Sequence, residues 1–94
     1  MNSEAGRRQL EAFVECQRRG DVGHSFSHLS LALCLLPHLK HQYYNTFLRV
    51  FEEWSDTVEE TKGIQQALTI CEAALSIYPN SPDIQYLLAK ILYR

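Results

Sequence analysis

The sequence predicts an all-α chain built of helical hairpins, and three observations lead there. Apolar residues recur at steps of three and four rather than two, which is the spacing of one face of an α-helix. Breakers are few, four glycines and three prolines in 94 residues, and the prolines fall between the apolar runs. The connections between runs are about two to four residues long, which forces successive helices to lie antiparallel beside one another.

Five helices can be placed. The first covers about Glu4 to Arg18, with Leu10, Phe13, Val14 and Gln17 along one side, and Gly20 supplies the permissive residue that a helix end commonly needs. Asp21 is the expected N-cap of the second, which runs to about Leu36 on Phe26, Leu29, Leu33 and Leu36. Pro37 stops it, because a proline nitrogen cannot donate to the preceding turn. The third, about Leu39 to Glu59, carries Tyr43, Phe47, Val50, Phe51, Trp54 and Val58 and most of the aromatic mass. Lys62 and Gly63 break the pattern. The fourth runs from about Ile64 to Tyr78 with Ile64, Ala67, Leu68, Cys71, Ala74, Leu75 and Tyr78 on its buried side. Ser81-Pro82-Asp83 then combines a capping hydroxyl, a proline at the first helical position and an acid near the positive helix end. The fifth helix continues through Ile84, Leu87, Leu88, Ile91 and Leu92.

Composition bounds the function. At 10.9 kDa, with 46% hydrophobic and 21% charged residues, the chain is expected to form one packed domain over residues 1–94, and disorder and low complexity are excluded. A formal charge of −2 is too balanced for a general nucleic-acid binder, so no nucleic-acid partner is expected. The longest charge-free stretch, Val22 to Leu39, holds His24, Ser25, Ser27, His28 and Ser30 and is no membrane span. With no secretory signal, the expected compartment is intracellular, cytoplasmic or nuclear. Cys16, Cys34 and Cys71 sit within helical apolar patterns and read as reduced core thiols.

Hairpins in series call for a search for self-similarity, and Pro37 and Pro79 supply the register. Counting back from Pro79, Ala67, Cys71, Ala74, Leu75 and Ile77 stand where Ser25, Leu29, Ala32, Leu33 and Leu35 stand before Pro37. Small residues at crossing points let two helices approach while a larger one fills the groove between them. This pattern resembles the second helix of a tetratricopeptide repeat, and Asn80-Ser81-Pro82-Asp83 with Tyr86, Leu88, Ala89, Leu92 and Tyr93 resembles the first helix of a further one. The resemblance implies a right-handed α-solenoid of five helices in about two and a half repeats: a hairpin over 4–37, an elongated one over 39–79, and the first helix of an incomplete third over 81–94. The prolines are 42 residues apart instead of about 34, and bulky Phe47 stands where a small residue is usual, so the third helix is expected to be about two turns longer than standard.

From Ser25 to Arg94 the chain also resembles the N-terminal repeat segment of a protein arginine N-methyltransferase. The residues that carry this are Leu36-Pro37-His38-Leu39-Lys40-His41, Thr46-Phe47 with Glu53-Trp54, Cys71-Glu72-Ala73-Ala74-Leu75 and Leu92-Tyr93-Arg94. The resemblance implies repeats that engage protein partners or substrates ahead of a module using S-adenosylmethionine. That module has no counterpart in these residues, so the implied role is the adaptor half, non-catalytic and without cofactor. The alternative is a fragment or short product of an S-adenosylmethionine-dependent enzyme whose catalytic domain lies elsewhere.

Chemistry is sparse. His24 and His28 share a helix face near Cys34, His38 and His41, but Pro37 divides that set and nothing completes a zinc site. Glu52-Glu53 and Glu59-Glu60 invite comparison with a guanidinium clamp, yet they fall on a long helix with no glycine-rich cofactor turn, and read as solvated. A thiol at an apolar helical position is a small hydrophobe rather than a nucleophile. What the repeat reading offers is a groove for a protein or peptide, lined by the first helix of each hairpin. Its candidate residues are Arg7, Leu10, Glu11, Val14 and Arg18, then His41, Tyr44, Asn45 and Leu48, then Asp83, Tyr86, Lys90 and Tyr93. Leu10 and Val14 replace the Lys and Asn that clamp a terminal carboxylate in some such repeats. Finally, Leu87, Leu88, Ile91 and Leu92 span more than one side of the fifth helix, so an exposed end is expected there, covered by self-association or by the continuation of a parent protein.

Overall fold

The computed structural model describes residues 2–93, apart from the side chains of Asn2 and Glu59. The Glu59 half of the second glutamate pair and the terminal Arg94 therefore lie outside the described residues. The helices are α1 (Asn2–Arg19), α2 (Val22–Leu35), α3 (Tyr44–Lys62), α4 (Ile64–Ile77) and α5 (Pro82–Leu92), with a 3₁₀ turn at Pro37–Leu39. No strand occurs among the described residues. The chain divides into two compact units, Met1–Val50 and Phe51–Arg94, the division falling inside α3.

In the first unit, α1 ends where Gly20 takes a left-handed φ of 73°. The Gly20 amide donates to the Gln17 carbonyl (3.2 Å) and the Asp21 amide to that of Cys16 (2.9 Å), the paired closure that satisfies orphan carbonyls at a helix end. Asp21 then caps α2, its carboxylate accepting from the His24 amide at 3.3 Å. The two helices run antiparallel: the His28 ring meets the Gln9 amide oxygen at 2.7 Å, and Gly6 near the start of α1 faces Leu36 at the end of α2. Phe13 and Cys16 of α1, Phe26, Leu29, Ala32 and Leu33 of α2, and Phe47 and Val50 of α3 form the buried interior. Phe26 and Phe47 meet as a tilted aromatic pair, ring centroids 5.6 Å apart.

The third helix begins at Tyr44, about five residues later than its apolar pattern suggests. Between Pro37 and Tyr43 the chain makes tight turns, the Leu39 amide reaching Leu36 and the Lys40 amide reaching Pro37. In His38-Leu39-Lys40-His41-Gln42 only Leu39 is apolar, so a helix there would have little to bury, and the helix forms once Phe47 supplies an anchor. At its other end Lys62 stays helical and Gly63 alone breaks the run, at φ 91°.

In the second unit, Phe51, Ser55 and Val58 of α3 are buried, as are Ala67, Cys71, Ala74 and Ile77 of α4 and Ile84 and Ile91 of α5. Helix α4 packs against α5. Ser81 caps α5 by accepting from the Ile84 amide at 3.2 Å, with Pro82 at the first helical position. Ile64 departs from its expected buried place: as the first residue of α4 it precedes the buried stripe and is 46% exposed. Cys34 departs likewise, being exposed, because it stands on the side of α2 opposite Leu29 and Ala32, whereas Cys16 and Cys71 are buried.

The two units repeat one feature closely. Leu36 and Tyr78, each just before a proline, end α2 and α4 at φ −124°, ψ 68° and φ −125°, ψ 72°, their amides donating to Ala32 and Ala74. Ser25, Leu29 and Ala32 are fully buried, and so are Ala67, Cys71 and Ala74 at the same distances from the second proline.

Candidate functional site

Because Phe13 and Cys16 turn inward, the opposite side of α1 is left to solvent. Arg7, Leu10, Glu11, Val14, Glu15 and Arg18 line a shallow, open depression of about 300 Å³ along it. Every groove residue expected on the first helix is here. Glu15 is the addition, and its place four residues after Glu11 and three before Arg18 is the signal that marks it for this face. Val14 is 54% exposed at the centre. Arg18 and Glu15 approach to 3.5 Å, and Arg8 pairs with Glu4 at 2.9 Å beside the face. Both pairs are solvent-exposed and contribute little to stability.

The remaining first-unit candidates do not form one row. His41 is exposed on the turn before α3 rather than on a helix, since α3 starts at Tyr44. Tyr44 and Leu48 are half-buried and Asn45 is exposed.

In the second unit, Asp83, Tyr86, Lys90 and Tyr93 lie at steps of three and four on the outer side of α5 and are all exposed, Tyr86 at 68% and Tyr93 at 89%. The expected exposed end needs one correction. Ile91 is buried, because with Ile84 it forms the inward ridge of α5; Leu87 and Leu88 are half-buried, and Leu92 is 56% exposed. The outer surface of α5 is therefore aromatic and charged, with leucine at its edges.

Two of the histidines, His24 and His28, are engaged with separate partners. The His24 ring contacts the Asp21 carboxylate at 2.7 Å, and hydrogen bonding from that ring, then from the His24 amide, holds the Asp21 carboxyl below its ordinary range. His28 is bound to Gln9. Among the described residues no three His, Cys, Asp or Glu side chains converge as metal ligands. Glu52, Glu53 and Glu60 are exposed on α3. Among the described residues no helix is long and apolar enough to cross a membrane.

No protein-family model matches the chain, and no solved structure matches it significantly. Among curated proteins it is similar to protein arginine N-methyltransferase 9 of Homo sapiens, 30% identical over 87 residues that make up 93% of this chain. The Mus musculus protein of the same name is 29% identical over 87 residues. The chain spans about a tenth of the length of each.

Proposed function

We propose that this chain is a non-catalytic interaction module of the tetratricopeptide type, serving as the N-terminal, partner-recruiting segment of an arginine methyltransferase-like protein. The observation that carries this reading is the similarity to protein arginine N-methyltransferase 9, which runs through 93% of the chain but 10% of the relative. The matching burial at equal distances from Pro37 and Pro79, and the matching backbone angles of Leu36 and Tyr78, support a repeated hairpin and hence the solenoid arrangement.

Recruitment falls to the outer side of α1. A preformed helix face loses little conformational entropy on binding, and the apolar centre at Leu10 and Val14 between Arg7 and Arg18 provides shape with charged edges. A segment of a protein substrate held there raises the effective concentration of its arginines near a linked catalytic module without any added chemistry.

The test compares a longer protein carrying this segment with a version lacking residues 1–94. Loss of the segment is expected to raise KM for a whole protein substrate while leaving kcat on a short arginine peptide unchanged. Equal KM values on the protein substrate would overturn recruitment. For the isolated chain, calorimetric titration with S-adenosylmethionine is expected to show no heat, and micromolar binding would overturn the non-catalytic reading.

A further inference from the structure

Both histidines of α2 are anchored in the manner of metal ligands. His24 and His28 stand four residues apart on one side of the helix, a spacing that sets Cβ atoms about 5–6 Å from each other. Two histidines at this spacing can share one zinc ion. His24 Nδ1 lies 2.7 Å from Asp21 Oδ2, and His28 Nδ1 lies 2.7 Å from Gln9 Oε1. A carboxylate or amide oxygen only accepts, so both Nδ1 atoms donate, and in the neutral rings the free lone pair belongs to Nε2. A histidine that ligates a metal through one nitrogen ordinarily gives its other N–H to such an oxygen, which fixes the tautomer and makes the ligating nitrogen more basic. Here that arrangement occurs twice on adjacent turns.

Both Nε2 atoms are open. The His24 side chain is 74% exposed. His28 is half-buried, but among the described residues the polar atoms both covered and unpartnered are the Ser25 and Ser30 hydroxyls, so His28 Nε2 reaches solvent. The other two histidines differ on each count. His38 and His41 stand three apart on the turns before α3, and neither ring has an oxygen partner among the described residues.

We propose that His24 and His28 bind one divalent transition-metal ion through Nε2, with Asp21 and Gln9 positioning the two rings. The ion is of the class that imidazole suits, such as zinc or nickel, rather than one that prefers oxygen ligands, such as magnesium. Among the described residues no third side chain joins the pair, so water completes the coordination shell and the ion is held more weakly than in a closed structural site. Because Gln9 belongs to α1 and His28 to α2, the bound ion also steadies the contact between the two helices. The proposal does not rest on the recruiting role of α1, and nothing in its test reads partner binding.

The experiment is calorimetric titration of the full 94-residue chain, without any appended histidines, with zinc, nickel and magnesium salts. The parent is expected to bind one zinc or nickel ion saturably and to give no heat with magnesium. His24→Ala and His28→Ala each leave a single imidazole and are expected to weaken binding about tenfold or more. Gln9→Leu keeps both ligands but removes the oxygen behind His28, and is expected to weaken binding about tenfold, whereas Gln9→Glu retains an oxygen acceptor and should bind at least as tightly as the parent. A variant with both His38→Ala and His41→Ala should bind like the parent. Circular dichroism first establishes that each variant is folded, and the melting midpoint should rise with zinc in the parent and not in His24→Ala or His28→Ala. No saturable binding of zinc or nickel, magnesium binding of equal strength, undiminished binding in either single histidine variant, or loss of binding on changing His38 and His41 would each overturn the proposal. Equal weakening by Gln9→Leu and Gln9→Glu would overturn the positioning role of Gln9.

Discussion

Gly6→Ala tests how the first hairpin is built. A methyl group on Gly6 would collide with Leu36 Cγ and lie 2.8 Å from its Cδ1 and 3.0 Å from its Cδ2, well inside van der Waals contact. Leu36 has little room to yield. Its side chain is 8% exposed, its amide is held by the Ala32 carbonyl at 2.7 Å, and Pro37 follows it. Against the clash stands the better helix propensity of alanine, about 1 kcal/mol. Overpacking of a well-filled interior costs about 1–3 kcal/mol, so the net expectation is a loss of about 1 kcal/mol and a fall in Tm of about 4–8 °C. The assay is thermal and denaturant unfolding followed by circular dichroism, run also in a Leu36→Ala background. There the obstructing side chain is gone and the same Gly6→Ala change should become stabilising, leaving the propensity gain alone. The reasoning fails if Gly6→Ala raises Tm in the parent, or if its effect is equal in both backgrounds.

Ala32→Leu and Ala74→Leu each place extra methyl groups at fully buried crossing points and should each cost about 1–3 kcal/mol in the same unfolding assay; parental melting of both would remove the repeat register. Gly63→Ala should cost about 1–3 kcal/mol although no atom lies within 4 Å of the added carbon, because φ 91° with ψ 176° is glycine territory; an unchanged midpoint would show that the α3–α4 turn relaxes freely. Ser25→Ala should be neutral or stabilising, since the Ser25 hydroxyl is buried without a hydrogen-bond partner, and a large loss of stability would show that the hydroxyl is bound. The Asp21 carboxyl titrates below its ordinary 3.8 when folded, so its contribution is present above that value and disappears as pH falls through the folded one; the stability difference between the parent and Asp21→Asn should shrink on acidification, and a pH-independent difference would contradict the cap.

Helix type and order were legible because every long apolar run has one period and each break has a chemical cause: Gly20 with Asp21, Pro37, Gly63, and Ser81 with Pro82. The start of α3 was not, because a run such as His38 to Gln42 carries no apolar stripe, and periodicity is silent where there is nothing to bury. Exposure at helix ends was also hidden. Ile64 and Cys34 are apolar residues in helical register, but the side that a residue takes depends on which neighbour the helix meets. The same limit applied to α5, where the row of four aliphatic residues read as one patch until Ile84 and Ile91 set the inward direction and turned Tyr86 and Tyr93 out. On α1 the outward placement of Arg7, Glu11 and Arg18 was legible for a specific reason: Phe13 and Cys16 claim the inner side, and the three charged residues are costly to bury, so charge and volume point to one outward face.

The small residues at equal distances before Pro37 and Pro79 act on packing rather than on surface chemistry. Ser25, Ala32, Ala67 and Ala74 let backbones approach and carry almost no side-chain information, and each is fully buried. Changes there alter stability and leave the exposed faces as they are. The recruiting role proposed above falls instead to a face that the packing leaves over, the outer side of α1. Along α1 the order is Arg7, Glu11, Glu15, Arg18, which reads the same in both directions, so an antiparallel copy sets Arg7 against Arg18, like charge on like. A palindromic charge pattern discourages the two-fold contact that homo-oligomers favour. On the recruiting role proposed for α1, reversing the signs of Glu11 and Arg18 together removes the palindrome and should change partner binding while the unfolding midpoint stays near that of the parent.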